Sequence, residues 1–337
     1  MTQSTEVSIK ADTPKREDFS LRPRSLETFI GQQEIKRSLG VMIDAARKRG
    51  DPLEHVLFHG PPGLGKTTLA IIIAAEMDGA LRELAAPSIQ KVGDLATVLS
   101  VLGYGDVLFL DEIHRMKTEI SEILYAAMED FKLSIQMAKG EKPMTVHLKS
   151  FTLVGATTDY GTLPGPLRDR FGQVFPIDLY SIEEIEQVVL RAAGELELLI
   201  DKDAARLIAE RSRGTPRVSL RLLRRCRDLA EVQNDDLTGQ IAAEALELLR
   251  VDERGLDETD RRYLWTLADR YGGGPVGPKS LSASSGIDSA TIEHAIEPWL
   301  LRAGLIVRTR RGRKITRKGH RHISDAVAAG EMSAMHV

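Results

Sequence analysis

Between Gly60 and Thr67 the chain reads Gly-Pro-Pro-Gly-Leu-Gly-Lys-Thr, and Thr68 follows. Glycines at that spacing let successive backbone N–H groups close around phosphate oxygens, and a helix opening at Lys66 adds the positive end of its dipole. Lys66 is placed to reach the β- and γ-phosphates of a nucleotide, and Thr67 to ligate magnesium. Further on, the apolar run Val107-Leu108-Phe109-Leu110 delivers Asp111-Glu112. In such a pair one carboxylate holds the metal ion while its neighbour orients and deprotonates an attacking water. Asp111 is assigned to the metal and Glu112 to the water. Thr157-Thr158 closes a third apolar run, where a hydroxyl can meet the γ-phosphate or that water. Taken alone, the pair is better explained by β-propensity and a turn.

Several arginines are spaced to serve this chemistry. Arg168 and Arg170 fall in Pro166-Leu167-Arg168-Asp169-Arg170-Phe171-Gly172. An arginine at the end of a nucleotide domain can reach the γ-phosphate of a neighbouring subunit, where it is worth roughly 10³ to 10⁵ in rate. Spacing does not choose between the two, nor exclude pairing with surface acids. Gly214-Thr215-Pro216-Arg217 reads as a helix-terminating glycine, an N-cap, a proline in the first helical position and an arginine in the first turn. That arginine faces the phosphates if the segment closes over the nucleotide; otherwise it is a surface charge. From Arg308 to Arg321 there are eight lysines or arginines, and no acid lies between Glu297 and Asp325. Neutralising even about six phosphates makes binding fall by roughly three to five decades between low and moderate salt. The hairpin carries no aromatic residue on which single-stranded bases could stack. Tracking of a duplex backbone fits it better, although a solvated basic tail has the same composition.

Positioning these groups requires strands that end at them. Val56-Leu57-Phe58 before the glycines, Asp106 to Leu110 and Phe151 to Ala156 read as buried strands. Helical spacing alternates with them, from Glu34 to Ala46, Leu69 to Met77 and about Asp94 to Leu102. Such alternation predicts a parallel sheet covered by helices, its ligand site beyond the strands' carboxyl ends. After Tyr180 the pattern is helical only: Ser181 with Glu184 forms a capping box, and helices are expected over Ile182–Ala193, Asp203–Arg211, Pro216–Val232 and Gln240–Leu249. Near Gly255 a third unit begins, with a helix from Glu258 to Tyr271, short helices around Leu281 and from Ile292 to Arg302, and a strand at Leu305-Ile306-Val307. The strand enters a basic hairpin turning at Gly312, and the whole resembles a winged helix.

At 337 residues the chain is long for one core. The expected fold is α/β: a P-loop NTPase domain with a parallel sheet over 21–180, a helical lid over 181–252 and a winged-helix domain over 253–325, with tails at 1–20 and 326–337. Hydrophobic content of 42% and charge of 28% are those of a soluble globular protein, and the formal net charge of −3 conceals the basic C-terminal stretch. No apolar run spans a bilayer and the N-terminus lacks a signal-peptide core, so a cytoplasmic protein without membrane contact is expected. The single cysteine, Cys226, reads as a buried structural thiol. Asp111-Glu112-Ile113-His114 also occurs in helicases with two tandem motor domains, but the helices after Tyr180 leave no room for a second one.

In these motifs the chain resembles the RuvB family, AAA+ motors of Holliday-junction branch migration. The resemblance runs from about Leu21 to His322. It is carried by Leu21-Arg22-Pro23, Phe29-Ile30-Gly31-Gln32, Gly60 to Thr68, Asp106 to Arg115, Met128 to Phe131, Phe151 to Thr158, Pro166 to Gly172, Arg213 to Arg217, Arg221 to Asp228 and Gly272 to Gly277. It implies a homohexameric ATP hydrolase around duplex DNA at Holliday junctions, acting in recombination, repair and the SOS response. A RuvA-like junction-binding protein loads it and a RuvC-like resolvase acts beside it. It further implies that Leu21 and Arg22 lie near adenine, that Gly63, Lys66, Thr67 and Thr68 hold phosphate and Mg2+, and that Thr158 senses the γ-phosphate. Arg170, favoured over Arg168, becomes the trans-acting finger and Arg217 the lid sensor. Glu129, Asp130, Phe131 and Tyr180 are further ATP-contacting positions, and Arg308 and Arg313 contact DNA. ATP is preferred over GTP, because Asn234 is the only asparagine and no Asn-Lys-x-Asp guanine motif exists. The chain departs from the family's pattern at Asp159, usually arginine, at Ala85-Ala86-Pro87, and at Lys139 to Met144. The last is the tip of the hairpin Ser134–Lys149, which aligns with the family's RuvA-docking hairpin.

Overall fold

The computed structural model describes residues 21–135 and 144–328. The N-terminal tail, most of the hairpin tip between Lys139 and Met144, and residues 329–337 lie outside the described residues. Helix α1 (Gln33–Arg49) leads to β1 (Val56–His59), α2 (Lys66–Glu76), β2 (Leu81–Ala85), α3 (Val92–Ser100), β3 (Val107–Asp111) and α4 (Thr118–Asp130). An antiparallel hairpin of β4 (Lys132–Ile135) and β5 (Met144–His147) precedes β6 (Thr152–Thr157), the short α5 (Gly165–Arg168) and β7 (Gln173–Pro176).

Side chains of a strand alternate between faces, so a continuous apolar run buries both. Val56 and Phe58 pack to one side of the sheet with Ile72 and Ile73 of α2, whereas Leu57 packs to the other with Leu95 of α3 and Leu124 of α4. The sheet order is β2-β3-β6-β1-β7, every pair parallel. Strands β2 and β7 add to the three that apolar runs foretell, and both are sheet edges. Three of the five residues in β2 are exposed, and β7 closes on Pro176, which an edge tolerates.

The lid consists of α6 (Ile182–Glu195), α7 (Lys202–Glu210), α8 (Pro216–Gln233) and α9 (Gly239–Leu248). Its first helix starts at the expected capping box, where the Glu184 N–H donates to Ser181 Oγ at 3.1 Å and the Ser181 N–H to Glu184 Oε2 at 2.8 Å. Leu21, Phe29 and Tyr180 share one continuous core with Ile185, Val189 and Leu223. Each large apolar side chain buried there contributes about 1.5–3 kcal/mol. That exceeds the roughly 1 kcal/mol of a single hydrogen bond such as Tyr180 N–H to Gly214 O, so apolar burial holds lid to sheet. Cys226 lies in this core, and burial pushes its thiol up to about 12, as befits a structural cysteine. Among the described residues no helix is long and apolar enough to cross a membrane.

The third domain has its own core, which includes Leu256, Tyr263, Leu267, Leu300, Ile306 and Ile323. Helix α10 (Glu258–Trp265) does not run regularly to Tyr271 but widens into a π-turn over Thr266–Arg270. Then come α11 (Pro278–Ser285), α12 (Ser289–Thr291), a second π-turn at Ile292–Ile296 and α13 (Glu297–Arg302). The wing pairs β8 (Ile306–Thr309) with β9 (Gly312–Ile315), and α14 (Arg317–Ala328) follows. Arg317, Lys318 and Arg321 therefore belong to a helix and not to the wing, and residues 326–328 complete that helix instead of opening a tail. Its amphipathic spacing buries Ile323 and Ala326 against the domain core.

Glu297, fully buried at the start of α13, anchors the wing. Its Oε1 accepts from the Tyr263 hydroxyl at 3.2 Å and from Arg313 Nε at 2.7 Å, and its Oε2 accepts from Arg308 Nη2 at 2.8 Å and Nε at 3.1 Å. Burying a carboxylate is unfavourable unless it is paired and fully hydrogen-bonded, and here it is both. Glu297→Ala should leave Tyr263 without its partner and Arg313 with only the longer ion pair to Glu293 at 3.6 Å, and destabilise this domain by roughly 3–5 kcal/mol, while Arg308→Ala, at a half-exposed position, should cost less than about 1 kcal/mol. Both tryptophans of the chain, Trp265 and Trp299, lie in this domain, so urea denaturation followed by tryptophan fluorescence checks the difference. Equal midpoints for the two variants would remove Glu297 from this role.

Candidate functional site

The three central strands end together, and the residues expected to meet phosphate sit at those ends. After His59 the backbone enters the loop at Gly60 with φ 146°, where an added Cβ would stand 2.2 Å from the carbonyl oxygen of Ile177. At Gly63, with φ 80°, a Cβ would press on Arg217 and Thr215 at 2.9 Å. These glycines admit neighbouring backbone and lid that a side chain would push away. Lys66 opens α2 almost wholly buried, and its Nζ donates to the carbonyls of Gly60 and Pro61, both at 2.8 Å. Burial lowers its pKa to about 8, Asp111 opposing the shift and Arg217 adding to it. A buried ammonium held by loop carbonyls and close to an arginine is suited to a polyanion that would restore its charge.

The neighbouring strand ends supply oxygen. Asp111 closes β3, and its Oδ1 accepts the N–H of Glu112 at 2.9 Å. Glu112 adopts the left-handed conformation, φ 50°, and Arg115 holds its carboxylate at 2.7 Å. Thr157, fully buried at the end of β6, is engaged by His114 Nδ1 and the Asp159 N–H, both at 3.0 Å. Its partner Thr158 has no side-chain hydrogen bond among the described residues, which distinguishes two threonines that the sequence leaves equivalent. The hydroxyls of Thr67 and Thr68 are likewise unbonded. No cluster of three His, Cys, Asp or Glu side chains suited to a metal occurs among the described residues. One hydroxyl and one carboxylate, Thr67 and Asp111, form a sparse hard-oxygen set that fits Mg2+ shared with phosphates, not a protein-enclosed metal.

The lid completes the rim. The Arg217 N–H donates to Gly63 O at 3.2 Å, so the arginine predicted from its helix cap stands directly on the P-loop. Tyr180, buried, donates its hydroxyl to Leu64 O at 3.1 Å, and burial raises its pKa. Leu21 is buried in the same seam with its carbonyl held by Arg191 at 2.7 Å, and half-buried Arg22 follows it.

Arg170 and the segment Glu129–Phe131 lie elsewhere. Phe131 packs on His55 and Phe151, the residues preceding β1 and β6, at centroid distances of 6.2 and 5.8 Å. Gly172 donates to the His55 carbonyl, which brings the Arg170 turn to the same edge. There Arg170 Nη2 bonds Glu129 Oε2 at 2.8 Å, Nη1 bonds Pro166 O at 2.8 Å, and the guanidinium covers the Tyr125 ring at 5.0 Å. This is the amino edge of the sheet. Even the four residues of β1, at about 3.3 Å each, set it roughly 13 Å from the P-loop edge. Arg168 instead covers Tyr160, which stacks on His59 at 4.6 Å beside the P-loop. Sequence reasoning missed this column, because an isolated histidine and tyrosine carry no motif.

On the wing, Arg308 and Arg313 are both tied to Glu297, and their side chains are 53% and 16% exposed. Among the described residues neither Nη1 has a hydrogen-bond partner, the bonds to Glu297 being made by Nε and Nη2. Arg310, Arg311 and Lys314 are exposed around them. The carboxylate beneath the wing was invisible as a partner from sequence, since it lies eleven residues before Arg308.

Three family descriptions match the chain in succession: the Holliday junction DNA helicase RuvB P-loop domain over residues 21–177, the RuvB AAA lid domain over 180–252 and the RuvB C-terminal winged helix domain over 253–324. The Holliday junction branch migration complex subunit RuvB of Fervidobacterium nodosum is 49% identical over 322 residues, covering 95% of this chain and 93% of its own. Its counterpart in Methanoregula boonei is 48% identical over 310 residues, covering 91% and 92%. Among solved structures, the Thermotoga maritima RuvB Holliday junction branch migration motor superposes with a TM-score of 0.84 at 45% identity, over 90% of this chain and 98% of that one. With all three domains matched in order and relatives near half identity along almost its whole length, the chain belongs to the RuvB family.

Proposed function

We propose that the protein is an ATP-driven motor that moves duplex DNA through Holliday junctions during recombination and repair. The observation that carries the reading is the separation of Arg170 from the P-loop of its own chain. Lys66, Thr67, Thr68 and the loop amides gather at the carboxyl edge of the sheet, where they would hold the triphosphate, and Thr67 and Asp111 would hold Mg2+. The bound ion would neutralise charge on the β- and γ-phosphates. Glu112 would take the proton of the attacking water, with Thr158 orienting the γ-phosphate. Arg170, at the opposite edge with Glu129, Asp130 and Phe131, would meet the nucleotide of the next subunit. A site divided in this way is heterologous and closes on itself only in a ring, for which a hexamer is proposed. Leu21, Arg22, Tyr180 and Arg217 would register the nucleotide at the lid seam, and Arg308 and Arg313 would carry the resulting movement to DNA.

The β4–β5 hairpin would dock a RuvA-like protein, and a cytoplasmic location accompanies these partners. In ATP-dependent dissociation of a synthetic four-way junction, the protein with its RuvA-like partner should separate the arms, whereas Glu112→Gln should not. Junctions left intact while ATP is hydrolysed would refute junction migration.

Lys66→Ala and Arg170→Ala should each be inactive, with Arg170→Ala losing roughly 10³-fold or more. Mixed in equal amounts, they should recover hydrolysis at the interfaces that unite an intact Lys66 with an intact Arg170, about a quarter of the total in a randomly assembled ring. No recovery in mixtures that sediment as rings would place both residues in one chain's site.

The depressed pKa of Lys66 gives a pH signature. Its ammonium is complete below about pH 8 and is lost above it, whereas bound triphosphate holds the proton. Affinity for a fluorescent ATP analogue should be level from about pH 7 to 8 and then fall by up to about tenfold per pH unit. Lys66→Arg, charged throughout, should show no such fall. A level wild-type profile to about pH 9.5 would contradict the burial argument.

A further inference from the structure

The nucleotide site and the wing leave a second basic cluster unused. A cavity of about 220 Å³ is lined by Arg254, Arg317, Lys318, Arg321, His322 and Asp325. Two of its basic residues have partners: Lys318 Nζ donates to the Ala303 carbonyl at 2.8 Å, and His322 Nε2 lies 2.8 Å from Asp252 Oδ2. The guanidinium groups of Arg254, Arg317 and Arg321 form no hydrogen bond or ion pair among the described residues. Arg317 and Lys318 also occupy the first turn of α14, which contains no acid. Helix N-termini favour negative charge, so cations there oppose the dipole as well as one another. Among the described residues the carboxylates set against this charge are Asp325 at the cavity wall and Asp252, which His322 and the Arg254 N–H already engage, and an anion seated among the three arginines would relieve the remaining repulsion.

The cavity adjoins the base of the wing. Thr316 N–H donates to Leu305 O at 2.9 Å, fastening the start of α14 beside the start of β8. Arg254 comes from another direction, in the segment between lid and winged helix, where its N–H donates to Asp252 Oδ1 at 2.9 Å. We propose that this cavity binds phosphates of the duplex DNA backbone at a site separate from the wing, joining the lid–winged-helix segment to α14 around them. The proposal rests on the reading of the chain as a duplex-DNA motor and adds a contact that the wing arginines do not supply. Arg308 and Arg313 share the charge of one buried carboxylate, whereas the three cavity arginines retain theirs in full. A contact at Arg254 also lies next to the lid, whose Arg217 stands on the P-loop.

The test is the salt dependence of binding to a short duplex, measured from about 50 to 200 mM salt for the full chain. Arg317→Ala with Arg321→Ala should reduce the slope of log affinity against log salt by about 2, and Arg254→Ala by about 1, equally for unrelated DNA sequences. Without DNA these variants should hydrolyse ATP at the wild-type rate and melt no lower than wild type, because they remove like-charge repulsion. Arg310→Ala with Arg311→Ala on the wing is the control. Slopes lost in the wing variant but retained in the cavity variants would overturn the cavity proposal alone. A wild-type protein that binds no duplex would overturn the motor reading with it. Melting several degrees lower in the cavity variants would assign the arginines to folding. With the P-loop saturated by a non-hydrolysable ATP analogue, further stabilisation of wild type but not the variants by tripolyphosphate, with duplex slopes unchanged, would assign the cavity to a small polyphosphate.

Discussion

In a parallel sheet every strand points the same way, and its two edges cannot be exchanged. Carboxyl ends open into loops that run on to helix N-termini, where backbone N–H groups and the helix dipole favour anions. Amino ends have no such groups. Here β1, β3 and β6 deliver the P-loop, Asp111 and Thr158 to the first edge, while Arg170, Glu129 and Phe131 gather at the second. Side-chain motion cannot bridge the strand length between them. Under the proposed division of the site, Arg170 would serve another subunit's nucleotide, and strand polarity would become a requirement for assembly.

The lid depends on the same edge. It shares an apolar core with the sheet, so it is held in place by burial, yet its polar contacts to the P-loop are few and local: Arg217 N–H to Gly63 O, and Tyr180 hydroxyl to Leu64 O. Large burial next to sparse polar contact suits an element that stays attached while its rim rearranges. Lys66 provides the reason to rearrange. Its ammonium rests on two carbonyls of its own loop, which are weaker partners than the oxygens of a triphosphate. A ligand that drew Lys66 away would alter the loop on which Arg217 rests, and the nucleotide state would pass into α8 without any long-range wire.

The elements legible in the sequence were those whose chemistry is local. Continuous apolar runs announced β1, β3 and β6, because central parallel strands bury both faces. Edge strand β2, with Arg82 and Glu83 exposed, carries no such signature, and β7 has only Val174 and Phe175 before its proline. Motif spacing put Lys66, Asp111, Glu112 and Arg217 where the fold has them, around the P-loop edge, since each is fixed by a strand end or helix cap within a few residues of itself. Spacing did not separate Thr157 from Thr158, which took the His114 contact from another strand's loop, or Arg168 from Arg170. The resemblance favoured Arg170, but only the fold places it at the amino edge. The extra basic residues after Ile315 were visible as charge; their place on a helix required Thr316, whose side chain accepts from the Gly319 N–H at 3.1 Å as a helix-capping residue does.

Charge on the winged-helix domain is therefore of two kinds. The wing's inner pair, Arg308 and Arg313, is oriented by a carboxylate that cannot leave, because Glu297 has no exposed surface and holds Tyr263 as well. Such a pair is rigid and partly neutralised, suited to fixing the register of a phosphate contact more than to drawing DNA in from a distance. The outer residues Arg310, Arg311 and Lys314, and the arginines at the start of α14, keep their full charge and act over a Debye length of about 8–10 Å. For a motor that must advance along a duplex, the division is useful. Unanchored cations would supply attraction that is tolerant of sequence and position, while the anchored pair would transmit force, since a side chain braced against the domain core can push on a phosphate without yielding.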